Sequence, residues 1–150
     1  MPLPPAASEL HGEVSRRLDA VDQRFTAGRR ALIDVLERSD RPLTVPDILT
    51  AASSNLPQSS VYRNLTVLLE AGVVRRLLGT DDLARFELAE DLAGHHHHLL
   101  CTACGAVSDV TAAPKLERAL SEAARLAAEE VGFEVTEHRI DLVGLCASCR

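Results

Sequence analysis

The sequence predicts an α+β protein of two domains: a winged helix over residues 1–88 and a smaller α/β domain over 95–150, joined by a hinge at 89–94. Three observations predict it. Residues 8–70 carry apolar positions at helical spacing, interrupted by capping residues. Residues 73–88 read as two strands around a GTDD turn. The rest of the chain follows a β-β-α-β pattern and holds all four cysteines.

Taken in order, residues 1–7 are rich in Pro and Ala and are expected to fray. From about Ser8 to Asp22, the positions Leu10, Val14, Leu18 and Val21 predict a packing helix. Thr26 then stands before Ala31, Leu32, Val35 and Leu36, an N-cap ahead of one apolar face, and this helix ends near Ser39. Thr44 caps a short helix with Pro46 in its first turn, and Asn55 and Pro57 break it. Ser59 or Ser60 opens a further helix to about Glu70, with Val61, Leu65, Leu68 and Leu69 as its buried stripe and Gly72 closing it. Val73 to Leu78 and Ala84 to Leu88 form the wing. Three helices and a hairpin make a winged helix, a variant of the helix-turn-helix. The stripe leaves Ser59, Tyr62, Arg63 and Thr66 on the opposite face, either to enter a DNA groove or simply to meet solvent. LAEDLAG reads as a linker. His95 to Leu100 and Val107 to Thr111 predict strands around CTACG. Pro114 starts a helix bearing Leu116, Leu120, Ala123, Ala127 and Val131 that Gly132 stops, and Glu134 to Leu145 is β-forming.

Composition narrows the class. The chain has 150 residues, 46% of them hydrophobic and 3% aromatic, so its cores rest on Leu, Val and Ala. Two half-size domains each want a staple or a partner. The net charge of -6 is unevenly placed: residues 1–80 carry ten basic against nine acidic side chains, and residues 81–150 six against thirteen. The acidic half suits cation binding. No apolar run approaches a membrane span, and MPLPPAASEL lacks the basic start and apolar core of a signal peptide. The expected location is therefore the cytoplasm, where thiols stay reduced.

The chemistry lies in the cysteines and histidines. Cys101-Thr-Ala-Cys104 and Cys146-Ala-Ser-Cys149 are two C-x-x-C knuckles. Each turns two thiolates toward one tetrahedral ion, and two together close a structural zinc site. Two disulfides or a redox pair are the alternatives; two knuckles that use every cysteine favour zinc. His95-His96-His97-His98 precedes the first knuckle. A tag or a histidine-rich loop would be the plain explanations, but the run is internal and leads into a strand pattern. Strand alternation puts His96 and His98 on one face and His95 and His97 on the other, and each pair is half of a site for Zn, Fe, Ni or Mn. Glu87, Asp109, Glu117 and His138 are available to complete both, and spacing alone does not assign them.

With these residues in view, the sequence resembles the ferric uptake regulator family of bacterial metal-sensing repressors. The resemblance runs from about Arg24 to Cys149, through RFTAGRR, SSVYRNLTVLLEAGVV, RFEL, HHHHLLCTACG and GLCASC. It implies a winged-helix DNA-binding head, a C-terminal α/β dimerisation domain and a homodimer on palindromic double-stranded operator DNA. It implies structural Zn2+ at Cys101, Cys104, Cys146 and Cys149. It further implies a regulatory site at Glu87, His96, His98 and Asp109, holding Zn2+ or Fe2+ with Mn2+ and Ni2+ as alternatives, and a second at His95, His97, Glu117 and His138. The DNA contacts would come from Ser59, Tyr62, Arg63 and Thr66, with Arg24 and Arg29. Many members place a histidine near the positions of Pro42 and Leu43, and some zinc sensors place a cysteine after the wing; this chain has neither. His97 stands where some iron sensors carry Asp, which leans toward zinc. Glu87 with Asp109 leans toward iron or manganese.

Two other classes could use the same residues. A zinc enzyme built on the histidine cluster would need an open metal position with a base beside it, and the chain has no H-E-x-x-H and is short for a large cleft. A metal-buffering protein would have no use for the recognition helix and wing.

Overall fold

A computed structural model of the chain describes residues 7–52 and 56–150. The fraying expected before Ala7 and the helix break expected at Asn55 fall outside the described residues. The first helix, α1 (Ala7–Asp19), buries Leu10, Val14 and Leu18. It stops short of Asp22, which turns the chain with φ 56°, a conformation that Asp tolerates better than most residues. Thr26 caps α2 (Ala27–Glu37), accepting the Arg29 amide at 3.4 Å. Thr44 caps α3 (Val45–Ala51) reciprocally: the Asp47 amide donates to Thr44 Oγ1 at 3.3 Å, and the Thr44 amide donates to Asp47 Oδ2 at 3.0 Å. Such a capping box satisfies two donors that a helix start leaves free.

The next helix, α4 (Gln58–Glu70), begins one residue before Ser59, and neither serine caps it. Pro57 holds the entry at φ -59°, so the ring presets the turn that a side-chain cap would otherwise stabilise. Gly72, at φ 66°, closes the helix in the left-handed region. The wing follows as β1 (Val74–Leu78) and β2 (Ala84–Leu88), antiparallel, with Arg75 opposite Glu87. Leu43 adds a bridge on its outer side, its amide donating to Phe86 O at 2.9 Å and the Phe86 amide returning at 2.8 Å.

The segment expected as a bare linker contains a helical turn, α5 (Glu90–Ala93). Leu92 is 4% exposed and packs into the head's core, and Arg17 of α1 pairs with Asp91. One buried leucine and one ion pair thus fasten the segment to the head. The second domain comprises β3 (His97–Cys101), β4 (Val107–Val110), α6 (Pro114–Glu129) and β5 (Asp141–Gly144), with sheet order β4-β3-β5. β3 is antiparallel to β4 and parallel to β5. The β-forming stretch expected over Glu134–Leu145 condenses to β5, because β4 occupies one edge of β3 and the other edge pairs only from His98 to Cys101.

The core is unevenly shared. Every buried member of the continuous apolar cluster precedes residue 93. In the second domain the buried apolar residues, among those described, are Cys101, Val107 and Ala128. Leu116, Leu126, Leu142, Val143 and Leu145 are all at least half exposed there. A domain this small and this open needs cross-links and a partner surface to stay folded. Among the described residues, no helix is long and apolar enough to cross a membrane.

Candidate metal centres and nucleic-acid face

Three clusters each bring ligand atoms within 4.8 Å of one another, and they group the residues as the resemblance implies. The first joins Cys101 and Cys104 to Cys146 and Cys149, all free thiols. β3 ends at Cys101 and β5 ends just before Cys146, so the parallel pairing brings the two knuckles side by side. Cys104 Sγ and Cys146 Sγ are 3.8 Å apart. A tetrahedron with metal–sulfur bonds of about 2.3 Å has edges of about 3.8 Å. The amides of Cys146, Cys104 and Ala103 point at Cys101 Sγ and hold its thiol down to about 6. Cys149 is pushed up to about 12, led by its contact with Cys146. Four thiolates this close share their charge well only around a cation.

The second cluster joins the wing to the second domain. Glu87 Oε2 lies 3.2 Å from both His96 Nε2 and His98 Nε2, and His98 Nε2 lies 3.8 Å from Asp109 Oδ1. Burial opposes charge on Glu87, but its hydrogen bonds with both histidines and the Arg75 guanidinium hold its carboxyl far below the ordinary carboxylate range. His96 is raised, first by its bond to Glu87. His98 is raised too, although burial works against it, by the same carboxylate. Asp109 is raised mainly by burial, and its Oδ1 is buried without a hydrogen-bond partner. The far nitrogens are spoken for: His96 Nδ1 faces Gly94 O at 2.9 Å and His98 Nδ1 faces Asp141 Oδ1 at 3.3 Å. Donation there would leave both Nε2 atoms as lone pairs beside Glu87, with Asp109 near His98 and Arg75 Nη2 3.4 Å from His96 Nε2, a donor set that fits a divalent cation. A cavity of about 190 Å³ opens beside the cluster, walled by Leu36, Ser39 and Arg41 of the head.

The third cluster uses the other face of the histidine run. His95 Nε2, His97 Nε2 and His138 Nε2 converge on Glu117 at 3.1, 2.6 and 3.1 Å. His97 Nδ1 is buried and unpartnered. Glu117 is held low by these imidazoles against the cost of burial. His95 lies just outside β3, yet the extended chain still alternates, and its Nδ1 faces Glu90 of α5. Three imidazoles and one carboxylate make a four-donor set suited to zinc and its neighbours.

Sequence reasoning missed the groups behind these ligands. Arg75 donates through Nε to Glu87 Oε1 and through Nη1 to Glu90 Oε2 at 3.3 Å. Asp141 orients His98. Hairpin register would have found Arg75, since the GTDD turn places it across from Glu87. A further interdomain contact went unnoticed at the wing tip. Arg85 Nη2 donates to Gly105 O at 2.7 Å, and Thr80 Oγ1 donates to Cys101 O at 2.6 Å.

On the head, α4 exposes Ser59, Tyr62, Arg63 and Thr66, with Tyr62 51% exposed. Thr66 Oγ1 bonds back to Tyr62 O at 3.1 Å, and Arg63 reaches Ser60 Oγ at 3.4 Å. Arg29 lines the same groove as Arg63 and Thr66, but its guanidinium is tied to Arg24 O at 2.6 Å and Gln23 Oε1 at 2.8 Å. It braces the α1–α2 connection, while Arg24 is exposed beside it.

A winged helix joined to a small sheet domain through a carboxylate–histidine cluster is the architecture of a metal-responsive, DNA-binding regulator. The chain belongs to the ferric uptake regulator family, whose model matches residues 20–143; the family consists of metal-responsive transcriptional regulators, not enzymes. The chain is 33% identical over 147 residues to the peroxide operon regulator of Bacillus subtilis, covering 96% of this chain and 95% of that protein. It is 28% identical over 141 residues to the ferric uptake regulation protein of the same organism, covering 91% of each. The ferric uptake regulator of Helicobacter pylori superposes with a TM-score of 0.77 at 22% identity, over 99% of this chain and 97% of that one.

Proposed function

We propose that the chain is a homodimeric, cytoplasmic repressor that binds palindromic operator DNA when a divalent metal fills the cluster of Glu87, His96, His98 and Asp109. The observation that carries this reading is the position of Glu87. It belongs to the wing, and its Oε2 stands 3.2 Å from two histidines of the second domain, beside the unpartnered Asp109 Oδ1. One ion held by both domains removes freedom between them. A ligand shifts such an equilibrium only by its differential affinity for the two states, and an opened arrangement without Glu87 supplies that difference. Zn2+ at the four cysteines is the structural metal; Zn2+ or Fe2+ is the regulatory one. The cluster of His95, His97, Glu117 and His138 is a second regulatory position. Domain boundaries follow the proposed 1–88 and 95–150, with α5 as the hinge piece fastened to the head.

A second copy of the chain covers the bare apolar surface of α6 and β5, where Leu126 is 50% and Val143 63% exposed. A two-fold dimer presents two α4 helices to two half-sites, so the operator is palindromic. Tyr62, Arg63, Ser59 and Thr66 meet the DNA, with Arg24 at the flank and Arg29 bracing the loop behind them.

The deciding experiment measures DNA binding of demetallated but zinc-knuckle-intact protein, titrated anaerobically with Zn2+, Fe2+ and Mn2+, for wild type and His96→Ala. Metal should tighten wild-type binding and leave the variant unchanged, with the cysteine-bound zinc and the dimer intact in both. Linkage requires that operator DNA tighten metal binding by the same factor, roughly 5–150-fold for a typical coupling of about 1–3 kcal/mol. Equal metal affinity with and without operator would remove the clamp.

A further inference from the structure

The wing places Arg75 directly across from Glu87. Arg75 Nε donates to Glu87 Oε1, and the two side chains are only 14% and 8% exposed. Glu90 holds the other side of the guanidinium, with Oε2 3.3 Å from Arg75 Nη1. Glu87 therefore faces the two histidines with one oxygen alone, Oε2. An ordinary carboxylate can close on a metal with both oxygens; here one is occupied by a buried cation, and breaking such a pair is costly.

We propose that Arg75 restricts Glu87 to a one-oxygen ligand and thereby sets the metal preference of the wing cluster. The inference rests on the reading of that cluster as the regulatory metal site. With Arg75 in place the protein supplies four donor atoms: Glu87 Oε2, His96 Nε2, His98 Nε2 and Asp109 Oδ1. Four donors of mixed nitrogen and oxygen complete the tetrahedron that zinc accepts. Manganese favours octahedral, oxygen-rich surroundings and loses most from a withheld carboxylate oxygen. The positive charge of Arg75 alone does not discriminate, since it weakens every divalent cation alike. The withheld oxygen discriminates, because it changes the number of donors. Arg75 acts as a positioning residue through Glu87; its Nη2 also lies 3.4 Å from His96 Nε2, a contact that weakens every cation at that nitrogen alike and leaves the donor count unchanged.

The test uses full-length protein with zinc retained on the four cysteines and the third cluster silenced by His138→Ala. Cobalt(II) is added as a spectroscopic probe, because four-coordinate cobalt absorbs visible light far more strongly than five- or six-coordinate cobalt. The Arg75-intact protein should show the intense four-coordinate bands, and Arg75→Ala should lose them while still binding cobalt. Competition titrations should show the zinc-over-manganese preference narrowing in Arg75→Ala by roughly 10–100-fold, the scale on which groups behind a ligand alter metal affinity. Arg75→Gln, which keeps a donor for Oε1 without the charge, should raise both affinities and leave their ratio close to that of the intact protein. A weak, high-coordination spectrum in the Arg75-intact protein overturns the proposal without any variant. An unchanged ratio in Arg75→Ala overturns it as well. Failure of the cluster to take cobalt at all overturns the metal-site reading itself, and is seen as cobalt uptake no greater than in a His96→Ala control.

Discussion

Replacing Arg85 with Ala should release the wing tip from the second domain. Arg85 is 6% exposed. Its guanidinium grips Asp81 at 2.7 and 2.8 Å and donates to Gly105 O at 2.7 Å. Gly105 sits at φ 72°, and a Cβ there would collide with the Asp81 carboxylate, so the contact is tight on both sides. A hydrogen bond from a charged donor to a buried carbonyl contributes about 1.5–3 kcal/mol. The Asp81 pair lies within the wing itself, so it aims the guanidinium and does not join the domains. Thr80 Oγ1 to Cys101 O, at 2.6 Å, survives the change. The loss of docking is then about 1.5–3 kcal/mol, which lowers the docked-to-free ratio by roughly 10–150-fold. Amide hydrogen exchange on zinc-replete protein reads this. In Arg85→Ala, exchange should rise both at Gly79–Leu83 of the wing and at Cys101–Gly105 of the knuckle. A rise confined to the wing would mean that Arg85 stiffens the hairpin alone, and the interdomain latch would be refuted.

The remaining predictions test the metal centres and the DNA face. Cys101→Ser or Cys149→Ser should lose one tightly held zinc per chain and unfold the second domain, because structural zinc supplies folding energy; metal analysis with circular dichroism checks both, and free titration of the four thiols in zinc-replete native protein would contradict the assignment. His96 and His98 are raised above the ordinary imidazole value of 6.5, so protons compete with metal from above that pH downward, and calorimetric affinity at the wing cluster should rise steadily from about pH 6 to 8. With the wing cluster emptied and zinc kept on the four cysteines the sign reverses: the raised histidines stabilise the fold below 6.5 and that contribution fades as pH climbs through their folded values, while the depressed Glu87 contributes above its ordinary 4.5 and fades only in stronger acid. The melting temperature of that form should therefore peak in mild acid. Arg63→Ala should weaken operator binding and flatten its salt dependence by a slope of about 0.9, one phosphate contact, whereas Tyr62→Ala should alter preference among operator sequences if its ring meets a base edge.

The head was legible because its signals are local. Thr26, Thr44 and Gly72 punctuate helices, and the stripe of α4 follows a 3.6-residue period that burial at Val61, Leu65 and Leu68 matches. The ligand sets were legible for a similar reason: alternation along β3 separates His96 and His98 from His95 and His97, and the geometry keeps them apart in two clusters. What sequence could not assign was which carboxylate joins which pair, because Glu87 and Glu117 arrive from elements whose placement depends on the tertiary fold. Resemblance supplied those partners. The helical turn inside LAEDLAG was not legible from composition alone, because it depends on Leu92 finding the head's core and Arg17 finding Asp91. The strand expected at Glu134–Leu145 shortened because β propensity asks for a neighbour, and one chain offers only the free edge of β3.

The strand β2 explains how events at the metal could reach the DNA-binding head without a long route. Successive side chains of a strand face opposite sides, with residues two apart separated by about 7 Å. In β2, Phe86 and Leu88 belong to the head's apolar core. Arg85 and Glu87 point the other way and are buried against the second domain, at 6% and 7% exposure. A strand at a domain's edge ordinarily shows one face to water; here polar contacts cover it, with Gly105 O near the tip and two histidines near the base. The same residues that fix the strand to the head thus alternate with those that fix it to the sheet. If the proposed ion pulls Glu87 toward His96 and His98, Phe86 and Leu88 are carried by the same backbone; α2 and α3 are packed on that strand, and α4 on β1 paired beside it. The orientation of α4 then follows from a rigid body held at two points, the metal at one end and the Arg85 latch at the other. Loss of Arg85 leaves the tip held by the Thr80–Cys101 bond alone, which is why Arg85→Ala should weaken the response of DNA binding to metal even though no metal ligand has been touched.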